Sequence, residues 1–384
     1  MSDPSTPSPT ELQSADRHSR QSALSLSAAL PTDILLYLLL PMYGAVFGVT
    51  LGETGILLAA NRLVRIAGYG WVARFYARHG DRPTCLLAVA GSVVCALGYA
   101  MLSGFWALLP LRLLWGLCFG ALNLSTQVMS TSLAQGAAAR SGRSRAFISI
   151  GPVTALPLGA LLAQAAGPRA VFVVLACTAL AGLLAAHRLP SIPHPGMQES
   201  GPRTRKPGAL DIWSFLEGFT LDGLFVIGLT YLGKEVLPAH AAIAAGLMMA
   251  LRYGSEIVLS PIGGRLADRV GAEALLVGFS LLTSLALVGF GMGWLWSCAS
   301  AIVVLRALQL PLIAPIVTRR HPGHEHVRAL AARSVWRDIG AGTGPLAAGL
   351  LLPILSTSWI YSAAAVALAL AAWACRGASA GPDG

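Results

Sequence analysis

The chain has 384 residues, 55% of them hydrophobic and 11% charged, with a formal charge of +10 and a mean hydropathy of +0.66. An ordinary soluble domain carries about 25% charged residues. The composition therefore argues against a soluble enzyme, and the length suits about twelve membrane spans of ~20 residues with little left over. The positive charge lies as arginine in short loops with no separate basic domain. This argues against nucleic-acid binding and matches the Lys/Arg excess that orients membrane proteins.

In chain order, residues 1–23 are rich in Ser, Thr and Pro and are expected to form a disordered cytoplasmic tail. Unbroken apolar length, punctuated by Gly, Pro and charge, predicts spans at about 24–46, 53–75, 84–104, 106–133, 146–166 and 168–187. Residues 188–210, with Arg203, Arg205 and Lys206 among Pro and Gly, form a linker. A second set is predicted at 211–233, 239–263, 273–292, 294–317, 333–355 and 358–375, before a tail at 376–384. The two sets define halves 24–187 and 211–375. Basic loops fall on one side, with Arg78, Arg82, Arg140, Arg143, Arg145, the linker, Arg265, Arg269, Arg319, Arg320, Arg328 and Arg376. The other side has Arg169 and Lys234. This imbalance predicts that both termini lie in the cytoplasm, in a multi-pass protein of a bacterial plasma membrane.

The halves are repeats. Gly246–Glu273 aligns with Gly55–Arg82 without a gap: Arg265 meets Arg74, Arg269 meets Arg78 and Gly271 meets Gly80. Such internal duplication marks transporters built from two halves.

Charges inside the spans are costly and normally face a cavity or a partner. They follow the repeat: Asp33 in span 1, Glu217 and Asp222 in span 7, Arg112 in span 4 and Arg306 in span 10. The carboxylates are candidate proton carriers. A headgroup-level position near a helix start is the alternative for Asp33, after Pro31-Thr32, and for Asp222. The arginines are candidate cavity cations beside Trp115, Asn123, Gln127 and Gln309. Arg65 and Glu256 take equivalent places in spans 2 and 8, and either pair across the halves as a gate or find local partners. The glycines of 340–349, around Pro345, make a flat packing face.

The cysteines Cys85, Cys95, Cys118, Cys177, Cys298 and Cys375 have no CxxC spacing and read as packing residues. His321, His324 and His326 flank Glu325 in a basic loop, where an incidental cluster outweighs a metal site. No HExxH or GxxxxGK[ST] motif is present, so neither an enzyme nor an ATP-driven pump is expected.

Gly264-Arg-Leu-Ala-Asp268-Arg269-Val-Gly271 resembles the loop motif of the major facilitator superfamily, as does the weaker copy Ala73-Arg-Phe-Tyr-Ala77-Arg78-His-Gly80. Arg112-Leu-Leu-Trp115-Gly116 resembles that family's span-4 motif. The resemblance covers residues 24–375. It implies an all-α membrane fold of twelve helices in two pseudo-symmetric halves, with alternating access and gating at Arg78, Asp268 and Arg269. It also implies proton coupling at the span-4 motif. The expected function is proton-coupled export of a small amphipathic molecule, without cofactor, by a monomer whose partners are substrate, protons and lipid. Uptake of an organic anion and a non-transporting scaffold are the alternatives.

Overall fold

The computed structural model describes residues 7–193, 207–236, 241–322 and 325–377. The linker cations Arg203, Arg205 and Lys206, the side chain of Lys234 and His324 lie outside the described residues. What is described is helical apart from short turns and connections, and the helices form two sets with the same order.

In the first half, α1 runs as Pro9–Ala29 and Pro31–Met42, α2 as Leu51–His79 and α3 as Asp81–Met101. Then follow α4 (Phe105–Ser130), α5 (Ala137–Ala166) and α6 (Pro168–His187). In the second half α7 has three parts, Ala209–Glu217, a π-helical turn Gly218–Leu224 and Phe225–Val236. Next come α8 (Ala241–Val270) and α9 (Ala272–Gly291). The helix α10 joins Leu295–Gln309 to Ile313–Arg320 through a 3-10 turn at Leu310–Leu312. The last two helices are α11 (His326–Leu351) and α12 (Thr357–Gly377). Nine of these rods are long and apolar enough to cross a membrane among the described residues. The other three, α2, α8 and α11, carry Arg62 and Arg65, Arg252 and Glu256, and Arg333, Arg337 and Asp338.

Residues 9–23 depart from the expected disordered tail: they begin α1. Pro9 opens the helix behind a capping box in which the Ser8 amide donates to Glu11 Oε2 (2.7 Å) and the Glu11 amide donates to Ser8 Oγ (3.3 Å). Local polarity hides this start, because Ser19, Ser22 and Ser25 are buried against neighbouring helices. Ser22 Oγ, for example, shares a 2.8 Å hydrogen bond with Ser125 of α4. Thr50 and Glu53 form a second capping box at the start of α2.

The aligned loop glycines have a common structural task. Gly80 (φ +77°) turns α2 into α3, and Gly271 (φ +101°) turns α8 into α9. Both are left-handed positions that favour glycine. Packing repeats likewise. Within the halves, α1 lies on α5 and α6, as α7 lies on α11 and α12. Between them, α5 packs on α8 and α2 on α11.

The outer face is apolar. Trp106, Trp294 and Trp359 stand exposed near the starts of α4, α10 and α12, at the end of the bundle remote from the termini. Exposed tryptophans near helix ends suit the headgroup level of a bilayer. The opposite end, which carries the termini, holds the arginine-bearing loops.

Candidate functional site

Charged side chains that the helices turn inward meet where the two halves face each other. In the first half, the guanidinium of Arg112 is wholly buried, and its Nη1 lies 2.5 Å from Asp33 Oδ1. Arg112 Nε donates to the Leu57 carbonyl at 3.1 Å, and Asn61 Nδ2 donates to Asp33 at 3.1 Å. Asp33 is thus an inward ion-pair partner, although it lies in the first turn after Pro31.

The second half repeats this with more charge. Arg306 approaches Asp222 at 2.8 Å and Glu217 at 3.3 Å. Arg337 bridges the same acids, at 2.5 Å to Asp222 and 3.1 Å to Glu217. Arg252 lies 3.4 Å from Asp222. The π turn makes this possible. In an α-helix, residues five apart point about 140° away from each other. The i to i+5 pattern of Gly218–Leu224 returns residue 222 to the side of residue 217. Two carboxylates on one helix can then share two arginines.

A third group crosses the interface. Arg65 Nη2 donates to Asp338 Oδ1 at 3.0 Å, from α2 to α11, and its guanidinium sits 4.6 Å from the Phe119 ring centroid. Arg62 donates to the Ala341 carbonyl. On the symmetry-related seam, Ser149 Oγ of α5 donates to Glu256 of α8 at 2.6 Å. Arg65 and Glu256 therefore do not pair with each other. Each reaches across to a different residue, because the repeat places them on separate seams.

Toward the arginine-rich end the α5–α8 seam closes tightly. A Cβ added to Gly142 would run into the Ser260 backbone, and one added to Gly264 would run into Ala138. Asp268 accepts hydrogen bonds from the Ala138 and Ala139 amides at 3.2 and 3.0 Å. These are free donors at the N-terminus of α5, where a carboxylate is favoured. The first copy has no such contact, since Ala77 occupies the matching position and is buried.

Other expected site residues lie elsewhere. Trp115 is fully buried in the core of the first half, filling volume between helices. Gln309 donates to Thr283 Oγ1 at 3.0 Å and so faces α9. Arg78 and Arg269 are exposed on the surface, where water and headgroups satisfy a guanidinium. Asn123 is buried, and its carbonyl accepts from the side chains of Thr126 and Gln127. Gln127 lines a small interior cavity with Arg145, Arg333 and Arg337. Among the described residues no group of His, Cys, Asp and Glu is placed to hold a metal.

Five participants escaped the sequence reading: Arg333, Arg337 and Asp338 at the opening of a span, Arg145 in an expected loop, and Asp81. The last is buried beside Gly80 and accepts from Tyr76 Oη and Ser125 Oγ, each at 2.6 Å. The available signal was the length of α5 and α11, which extend seven to nine residues before their apolar runs.

Around the interface, Arg62, Arg65, Arg112, Arg145, Arg252, Arg306, Arg333 and Arg337 face Asp33, Glu217, Asp222, Glu256 and Asp338. Fully ionised, the site carries three excess positive charges. It can hold anionic groups, and its ion pairs can exchange between partners as helices shift.

Known proteins share this architecture. The sugar efflux transporter A of Dickeya chrysanthemi is 26% identical over 344 residues, covering 83% of this chain and 84% of the relative. The inner membrane transport protein YnfM of Escherichia coli K12 is 25% identical over 264 residues, 64% of this chain and 62% of the relative. The multidrug resistance protein MdtG of Salmonella paratyphi A is 28% identical over 126 residues, 32% of this chain and 31% of the relative. The human organic anion transporter MFSD10 (TETRAN) superposes with a TM-score of 0.71, covering 96% of this chain and all of its own. At 17% identity it shows the shared fold alone. The Major Facilitator Superfamily model matches residues 22–233 and again 214–380. The chain belongs to the major facilitator superfamily, as a multi-pass membrane transporter of two repeated helical halves.

Proposed function

We propose that the chain is a proton-coupled exporter of a small amphipathic organic molecule, working by alternating access in a bacterial plasma membrane with both termini cytoplasmic. The observation that supports it best is the repeated acid–arginine pairing, Asp33 with Arg112 and Asp222 with Arg306, on equivalent helices. Packing alone gives no reason to keep these pairs in hydrocarbon. Two of the relatives, a sugar efflux transporter and a multidrug resistance protein, favour export.

Asp33 is the better candidate for the proton. It faces one arginine and one amide, so releasing it breaks a single ion pair. Asp222 faces Arg252, Arg306 and Arg337. Asp222 and Glu217 then serve as anchors for arginines that move with α10 and α11. The excess of guanidinium groups favours one second reading, uptake of an organic anion together with protons.

The test uses purified protein in sealed vesicles with a pH-sensitive dye inside. Amphipathic acids, amphipathic amines and sugars are added in turn. For export by exchange, one class moves protons against its own direction, and Asp33→Asn abolishes the proton signal while substrate binding remains. Co-directional movement would establish uptake by symport instead. Substrate flux without proton movement would sink the coupling claim.

A further inference from the structure

A cavity toward the arginine-rich end is built from both halves, by α4 and α5 on one side and α10 and α11 on the other. Its polar lining includes Arg145, Arg333 and Arg337, with Gln127, Ser141 and Ser144, and it includes no carboxylate. Arg337 is engaged by Glu217 and Asp222. The other two arginines are not so engaged. Arg333 is 4% exposed, and its Nε and Nη1 are buried without a hydrogen-bond partner; Ser144 Oγ is in the same condition. Arg145 forms no ion pair among the described residues, although Glu256 and Glu217 act on it from a distance.

Elsewhere in the interface the buried arginines have been given an acid or a carbonyl. Here cationic and hydroxyl donors converge on a space that offers them no acid. A buried unpaired charge is costly, and a planar guanidinium suits an oxyanion through parallel hydrogen bonds. We propose that Arg145 and Arg333 form an oxyanion subsite that receives the acidic group of the transported molecule, so that the substrate is an amphipathic organic acid. This rests on the transporter reading above and narrows its substrate class.

The geometry also fixes when the subsite fills. The cavity measures about 20 Å3, room for roughly one water, and lies beside the α5–α8 seam that Gly142, Gly264 and Asp268 hold shut. A carboxylate or phosphonate enters when that seam parts. Closure leaves Arg333 buried and Arg145 half-buried, neither of them in an ion pair. An anion that binds the open form therefore favours opening of this end.

The test is binding to the full-length protein in lipid nanodiscs. The probes are hexanoate, hexylphosphonate, the uncharged isostere hexanamide and chloride, with Arg333→Gln, Arg333→Lys, Arg145→Gln and the surface control Arg74→Gln. Wild type and Arg74→Gln are expected to bind the two acids at least tenfold more tightly than the amide, with affinity falling as ionic strength rises. Arg333→Gln and Arg145→Gln lose that preference while keeping the weak affinity for the amide, and Arg333→Lys restores part of it. The anion-free melting temperature of Arg333→Gln is expected to equal or exceed that of wild type, because a buried unpaired charge has been removed. Equal binding of acid and amide overturns the proposal, as does loss of both in Arg333→Gln or the absence of saturable binding in wild type. Chloride that saturates the site and displaces hexanoate assigns it to an inorganic ion and overturns the organic-acid claim. Proton movement in the vesicle assay is read separately, so a failed subsite leaves the coupling reading standing or falling on its own result.

Discussion

Arg112 shows what a single buried cation demands. Its guanidinium has no exposure, and Asp33, Leu57 and the Tyr37 ring 5.4 Å away surround it. Removing one member of a buried ion pair leaves the other charge stranded, at a cost of about 3–5 kcal/mol. Arg112→Gln is therefore expected to lower thermal stability sharply. Asp33→Asn with Arg112→Gln should recover much of the loss, since both charges leave together. Melting of the two single variants and the double variant checks this, and additive losses would show that the two residues do not act as a pair. At this scale the sequence was informative about type and poor about direction. The repeat correctly put an acid on helices 1 and 7 and an arginine on helices 4 and 10. It could not say that Gln309, three residues after Arg306, turns toward Thr283, or that Trp115 fills the core. A face of a helix is about 100° wide, and neighbours on one stripe still meet different helices.

Elements were legible where they were apolar and blurred where they buried charge. The span edges of α3, α4, α6 and α9 follow hydrophobic runs that the eye can find. The helices α5 and α11 begin in polar sequence, so an apolar-length criterion starts them late and leaves Arg145 outside. The criterion fails there for a physical reason: these residues face a protein interface, not lipid. Glycine spacing carried better. Gly340 and Gly344 of α11 lie against the Phe215 and Phe219 backbones of α7, while Gly151 and Gly159 of α5 lie against Ser27 and Leu35 of α1. Gly340→Leu would force α11 off α7 and carry Arg337 from its acids, with an overpacking cost of about 1–3 kcal/mol or more. Lower melting temperature together with lost transport is expected. Intact transport would mean that α11 can repack without its flat face.

Over the whole molecule, the two halves are joined unequally. One seam has the Arg65–Asp338 ion pair. The other has Ser149–Glu256 and, nearer the arginine-rich end, the Asp268 carboxylate on the first amides of α5. The duplicated loop keeps its acid only in the second copy, so one anchor closes an end that the repeat would have given two. Asp268→Ala is expected to raise the fraction of molecules open at that end. The readout is faster thiol labelling of Ser141→Cys in a background without the native cysteines. An unchanged rate would assign closure to glycine packing alone. The sequence disclosed the asymmetry, through Ala77 opposite Asp268. What it could not disclose is which helix end the surviving aspartate would meet, since that depends on how two separately folded halves lie together.

The π turn in α7 is also a matter of counting. A helix that accommodates a turn of this kind holds one more residue than its length would otherwise allow. Everything beyond Leu224 is set back by a single step, about 100° of rotation. The two parts of α7 are consequently phased by different neighbours. At the first residue of the turn, Gly218 sits on the Arg337 backbone; at its last, Tyr361 donates to the Leu224 carbonyl at 3.0 Å, and just beyond it Phe225 packs edge-on to Phe290. Glu217 takes its bearing from α11, while the end of the turn is fixed by α9 and α12. The turn that separates Glu217 from the far part of α7 and carries Asp222 is thus a joint between two separately indexed rods, and the angle between the two acidic side chains is a property of the joint.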